Sequence, residues 1–116
     1  MSGQSGSMNV DLRVPPDSTK TFRWQLNGSH PVLRDHFPSN PLVPAFMQLE
    51  AVRQLVCTWS EVSAEEIRFR NVKFMVPLLP DRDAEIVVRR VANSSTLAFS
   101  LSVDGEILTR GEIAAA

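Results

Sequence analysis

Along most of the chain, apolar and polar residues alternate with a period of two, and one stretch breaks that rhythm. Thr19 to Leu26 (TKTFRWQL) sets Lys20, Phe22 and Trp24 on one face and Thr21, Arg23 and Gln25 on the other. That alternation predicts a strand, ended by the turn Asn27-Gly28-Ser29. Glu66 to Met75 alternates again, with Ile67, Phe69, Val72 and Phe74 pointing inward after a small break at Asn71. Pro77 to Asp81 predicts a turn, Ala84 to Ala92 a strand rich in β-branched residues, and Asn93-Ser94-Ser95 a further turn. Thr96 to Val103 alternates most cleanly, placing Leu97, Phe99, Leu101 and Val103 on one face. Asp104-Gly105 is the strongest hairpin signal in the chain, and a last strand follows from Glu106 to Ala114.

The exception lies between Asp35 and Gln54, reading DHFPSNPLVPAFMQLEAVRQ. Pro38, Pro41 and Pro44 are too closely spaced for a helix or a central strand, so His30 to Pro44 reads as loop or very short elements. From Ala45 to Val62 the chain is apolar-rich with no Gly or Pro. Pro44 suits a helix start, where its missing N–H is no loss. At about 100° per residue, Ala45, Leu49, Val52, Leu55, Val56, Trp59 and Val62 form one broad apolar arc. Glu50, Arg53, Gln54 and Glu61 lie opposite, with Phe46 and Met47 turned toward them. A helix of this kind is wrapped by a sheet on one side and covered by a partner on the other. Strand, loop, long helix and about four strands in a meander predict an α+β layer whose open edge favours dimerisation.

A chain of 116 residues is one domain. MSGQSGS at positions 1–7 reads as a flexible tail or expression scar before a native start at Met8, leaving 8–116 as a single domain. The net charge of -1 argues against nucleic acid as a partner, and no run is long enough to cross a bilayer. The single cysteine, Cys57, excludes an internal disulfide framework and fits a reducing compartment, so a cytoplasmic location is expected. With no second Cys or His pair at ligand spacing, no metal site is expected.

The residues His36, Phe37, Pro38, Pro41, Pro44, Glu50, Ala51 and Gln54 closely resemble the active-site segment of the β-hydroxyacyl-acyl-carrier-protein dehydratases, the FabZ/FabA type. The family pattern is roughly GHFPxxPxxPGxxxxEAxAQ, and NVKFMVPLLPDRDAEI is similar to the segment following its helix. The resemblance implies a hot-dog fold: an antiparallel sheet wrapped around one long central helix, dimeric. It also implies dehydration of 3-hydroxyacyl-[acyl-carrier-protein] thioesters without metal or dissociable cofactor, the substrate riding on the carrier's phosphopantetheine. Asp35, Ser39, Ala45 and Arg53 depart from the pattern, which has Gly at the first three positions and a small residue at the fourth. The short chain and lost glycines resemble the small dehydratases of aryl-polyene-type pathways.

The resemblance implies a role for each group. His36 takes the α-proton, since imidazole titrates near working pH. Glu50 protonates the departing hydroxyl, a task suited to a buried carboxyl. The Ala45 N–H, at the helix tip, holds the thioester carbonyl. Phe37, Pro44, Phe46 and Gln54 complete the substrate-binding set. In the family, His36 of one protomer meets Glu50 of the other. Because Glu50 lies about 7.5 Å along and about 140° around the helix from Ala45, the geometry favours that arrangement and hence a homodimer with two shared sites.

Plainer readings stand beside these. Alone, Glu50 is a solvated carboxylate paired with Arg53 at i+3, and such a cation counts against a general acid. His30 reads as structural and Cys57 as a buried filler. Phe46, Met47, Trp59, Phe69 and Phe74 line either an acyl tunnel or the core. Arg68, Arg70, Lys73, Arg82, Arg89 and Arg90 form either a solvated face or a dock for an acidic carrier protein. The rival functions are a hot-dog thioesterase and a non-catalytic acyl- or carrier-binding partner.

Overall fold

The computed structural model describes residues 18–36, 42–91 and 94–115. The expected tail at 1–7 lies outside them. The described elements are β1 (Thr19–Trp24), α1 (Pro31–His36), α2 (Ala45–Ser60), a 3₁₀ turn (Ala64–Glu66), β2 (Ile67–Phe74), β3 (Ala84–Arg90), β4 (Leu97–Val103) and β5 (Glu106–Ala115). Each strand lies within two residues of where its alternation predicts it. At the β4–β5 hairpin, Asp104 and Gly105 both take positive φ, 52° and 85°, the backbone a two-residue turn needs to match strand twist.

The strands form one antiparallel sheet in the order β1-β3-β4-β5-β2. This corrects the expected meander. Only β3, β4 and β5 run edge to edge in sequence; β2 leaves the turn after Phe74 and lies at the far edge, against β5. A nine-residue connection containing Pro77 and Pro80 crosses the end of the sheet rather than folding back as a hairpin. The break expected at Asn71 is present: Asn71 has φ 54°, and the β2–β5 register shifts between Arg70 and Lys73. This is a bulge that keeps Val72 on the core side while turning the strand.

One sheet face carries the core. Ala84, Ile86 and Val88 of β3, Leu97, Phe99 and Leu101 of β4, and Ile113 of β5 are all buried, together with Val52 and Val56 of α2. Gly111 sits where a side chain would collide: an added Cβ would stand 2.8 Å from the Phe99 ring and 2.9 Å from Val72.

The helix buries the side its apolar arc predicts, with small and polar residues sharing that side. Its buried residues are Gln48, Ala51, Val52, Val56 and Ser60. Leu49, Leu55 and Trp59 are half-buried flanks, and Ala45 is exposed. Two small residues, Ala51 and Ser60, are among the buried set, and the Ser60 hydroxyl donates to the Val56 carbonyl at 2.7 Å. The helix ends at Glu61, which adopts φ 61° and donates its N–H to the Cys57 carbonyl, a left-handed cap.

Candidate active site

The N-terminal end of α2 is fixed from several directions. Pro44 precedes it with φ -62° and ψ 150°, and its carbonyl accepts from the N–H groups of Met47 and Gln48 at 3.1 and 3.3 Å. Among the described residues, the N–H groups of Ala45 and Phe46 have no hydrogen-bond acceptor. They remain the open donors of the helix start, at the positive end of its dipole. One residue earlier, Val43 donates to the Leu78 carbonyl at 2.8 Å, pinning the approach segment to the β2–β3 connection.

Gln48 was not singled out by the sequence, yet it anchors this tip. It is only 4% exposed. Its Nε2 donates to the Val43 carbonyl at 3.5 Å, and its Oε1 accepts from the Thr109 hydroxyl of β5 at 2.6 Å. A buried amide with partners at both ends locks helix to sheet. Only the polar partner Thr109, on the core face of β5, could have signalled it, and that pairing spans 61 positions.

Glu50 lies on the second turn of α2 and is exposed within this chain, contrary to the expectation of a buried carboxyl. Glu50 lies across the helix from the buried stripe of Gln48, Ala51, Val52, Val56 and Ser60, and so faces outward. The expected i+3 pair is present: Arg53 Nε stands 3.5 Å from Glu50 Oε1. Gln54 donates to the other oxygen, Oε2, at 3.4 Å. Phe46 is 60% exposed on the same side. Glu50, Gln54, Ala45 and Phe46 are thus gathered on one helix.

His36 is the last residue of α1; its side chain, and all of Phe37, lie outside the described residues. The short helix that carries it is capped by His30, whose Nδ1 accepts from the Val32 N–H at 3.1 Å while its carbonyl accepts from Leu33 at 3.0 Å. The structural reading of His30 therefore holds.

Cys57 shares the Glu50 side of α2 and is half-buried rather than fully enclosed. Burial raises its thiol pKa, as do Glu50 and Glu66, while Arg53 alone pulls it down. Among the described residues no group of His, Cys, Asp and Glu is arranged to hold a metal.

The cations divide. Arg68 and Arg90 are spent on backbone carbonyls, those of Glu65 and Ile67 and that of Ser94. Arg70 reaches Thr96 and Glu112. Lys73, Arg89 and Arg110 border an open trough of about 420 Å³ floored by Ala98 and Ser100. It lies on the sheet face opposite the helix, since their neighbours along each strand are core residues.

The family model described as ApeI-like, ApeI dehydratase, matches residues 8–112. The 3-hydroxyacyl-[acyl-carrier-protein] dehydratase FabZ of Polynucleobacter asymbioticus is 29% identical over 116 residues, spanning 90% of this chain and 77% of that protein. An uncharacterized protein from Erwinia carotovora subsp. atroseptica superposes with a TM-score of 0.70 at 26% identity, covering 89% of this chain and 86% of its own. The dehydratase heterocomplex ApeI:P from Xenorhabdus doucetiae gives a TM-score of 0.68 at 23% identity, covering 86% and 88%. The sheet and its single long helix are those of the hot-dog fold.

Proposed function

The chain belongs to the ApeI-like dehydratase family, and from that footing we propose that it dehydrates 3-hydroxyacyl-[acyl-carrier-protein] thioesters to trans-2-enoyl thioesters. The observation that carries the reading is the joint placement on α2 of an outward carboxylate, Glu50, and a helix tip whose first two N–H groups find no acceptor among the described residues.

His36 takes the proton from C2, and the charge that develops on the thioester oxygen is met by the Ala45 N–H. The C3–O bond breaks as Glu50 gives its proton to the leaving hydroxyl, so water departs and the C2–C3 double bond forms. His36 then returns its proton to Glu50 through solvent. Donors at a helix tip are worth about two to three orders of magnitude in such reactions. Pro44 and Gln54 hold the loop and carboxylate, and Phe37 and Phe46 meet the acyl chain. These groups need no metal and no dissociable cofactor.

The proposal includes a homodimer. The exposure of Glu50 supports it, because a general acid works best where water is excluded, and a second subunit placed over this side of α2 would exclude it. An acyl carrier protein is the proposed donor of substrate; the unspent cations Lys73, Arg89 and Arg110 suit an acidic surface. A cytoplasmic location fits the lone thiol, and no helix among the described residues is long and apolar enough to cross a membrane.

The test is turnover of 3-hydroxyacyl thioesters of graded length, read by mass spectrometry as loss of one water. His36→Ala and Glu50→Gln should each lower kcat by about 10²–10⁴. Release of free thiol without enoyl product would establish a thioesterase instead. No turnover by either wild type or His36→Ala would leave a non-catalytic partner, and equal turnover by both would remove His36 from the mechanism. The Xenorhabdus doucetiae relative was solved as a heterocomplex; a chain silent alone but active with a second hot-dog subunit would replace the homodimer by a mixed one.

A further inference from the structure

We propose that Arg53 is a positioning residue for Glu50, gripping one carboxylate oxygen while Gln54 holds the other. This rests on the dehydratase reading, in which Glu50 delivers a proton to the departing hydroxyl.

An exposed Glu–Arg pair one turn apart on a helix is ordinarily loose, because both side chains lose freedom for little gain. Arg53 is not free in that way. Its Nη1 donates to the Ala64 carbonyl at 3.0 Å, tying the far end of the guanidinium to the turn that leads into β2. Its central carbon lies 5.4 Å from the centre of the Phe69 ring, within cation–π range. Phe69 is itself held edge-on to Phe99, centres 5.8 Å apart at 76°. The guanidinium is thus fixed by helix, turn and sheet together, and its remaining edge is aimed by that anchoring.

That edge carries Nε, which is buried and has no hydrogen-bond partner among the described residues. Buried donors without acceptors are rare and call for a reason. The anion it faces is Glu50 Oε1, at 3.5 Å, about half an ångström beyond a good N–H···O bond. Hydrogen bonds of catalytic groups are often long before substrate arrives and tighten afterwards. With Gln54 at 3.4 Å on Oε2, each carboxylate oxygen has one donor, so the plane of the carboxyl is set from both sides. A proton donor misplaced by an ångström loses much of its effect, and an exposed side chain on a bare helix turn has no other means of holding still. The fork of arginine can bond a carbonyl and face a carboxylate at once; lysine, a single flexible ammonium, cannot do both.

The experiment compares Arg53→Met and Arg53→Lys with wild type, in the native and the Glu50→Gln backgrounds. Arg53→Met should lower kcat by about tenfold to a hundredfold with KM changed less than about twofold, and Arg53→Lys should restore only part of the loss. In the Glu50→Gln background the same substitution should leave the residual kcat unchanged, since the group it positions is gone. A loss of the same size in both backgrounds means a structural role and overturns the proposal, as does an unaltered kcat. A second readout does not depend on turnover. The Arg53 Nε–H resonance should exchange slowly with water and shift on Glu50→Gln; fast exchange and no shift overturn the proposal in an active enzyme. A wild type silent on every 3-hydroxyacyl thioester, with the resonance behaving as expected, removes the dehydratase reading and the catalytic role with it, while the pairing stands.

Discussion

Two side chains that the periodicity of the sequence passes over carry precise consequences. Thr109 is 1% exposed and donates its hydroxyl to Gln48 at 2.6 Å. Thr109→Val keeps the shape and strands the Gln48 oxygen, which should cost roughly 1–3 kcal/mol in chemical denaturation, while Thr109→Ser should cost much less. Equal losses for the two would mean that packing, not the hydrogen bond, holds the tip of α2. Cys57 reports on the opposite face. With its pKa raised by burial above all, less thiolate exists near neutral pH, and its reaction with a disulfide reagent should be slower than that of free cysteine. Glu50→Gln removes a neighbour that raises the pKa and should speed the reaction; Arg53→Met removes the only group lowering it and should slow it. Insensitivity of the rate to both changes would put Cys57 out of reach of that pair.

At the scale of elements, much was legible and the reasons for the exceptions are physical. Alternation located β1, β2 and β4, β-branched residues located β3, and Asp104-Gly105 and Asn71 marked the hairpin into β5 and the bulge, because these depend on local backbone preferences alone. The edge chosen by β2 was not legible: turn residues state that a chain stops, not which strand it next meets. The buried side of α2 was legible from its apolar arc, but not that Gln48, Ala51 and Ser60 share it, because hydrophobicity ranks them low. Close approach does govern Gly111, a position without a signal in its own strand pattern. Gly111→Ala drives a methyl into Phe99 and Val72, neither of which can retreat from a packed core, and should lower stability by about 1–3 kcal/mol in thermal or denaturant unfolding. A neutral result would mean that β2, the edge strand, moves aside at its bulge. Of the candidate site, the residue types and register were readable from the motif, but not the exposure of Glu50, because a motif fixes spacing and not what surrounds a side chain.

At the scale of the molecule, the large apolar groups exposed among the described residues are Phe46, Phe74, Met75, Leu79 and Ile107. Phe46 is 60% exposed, and Phe74 and Met75 at the end of β2 are each 45% exposed. Phe74 pairs with Thr109, whose hydroxyl reaches Gln48 two residues from Phe46, so the rings lie toward the same end of the helix. Among the described residues β2 also has an unpaired edge, and Phe69 on it carries Arg53, which faces Glu50. A subunit that paired with β2 would therefore satisfy an open ladder, cover the two rings and shield the proposed acid in one step. The other free edge, β1, offers Thr19, Lys20, Thr21 and Arg23, with charges that deter pairing. Sedimentation equilibrium should accordingly give a mass near twice the 12.9 kDa of one chain. Phe74→Glu should drive it toward the monomer and remove turnover together, with the fold by circular dichroism unchanged. A monomeric Phe74→Glu variant that keeps full activity would show that each chain completes its own site, and the shared site would have to be abandoned even if the chemistry assigned to Glu50 survived.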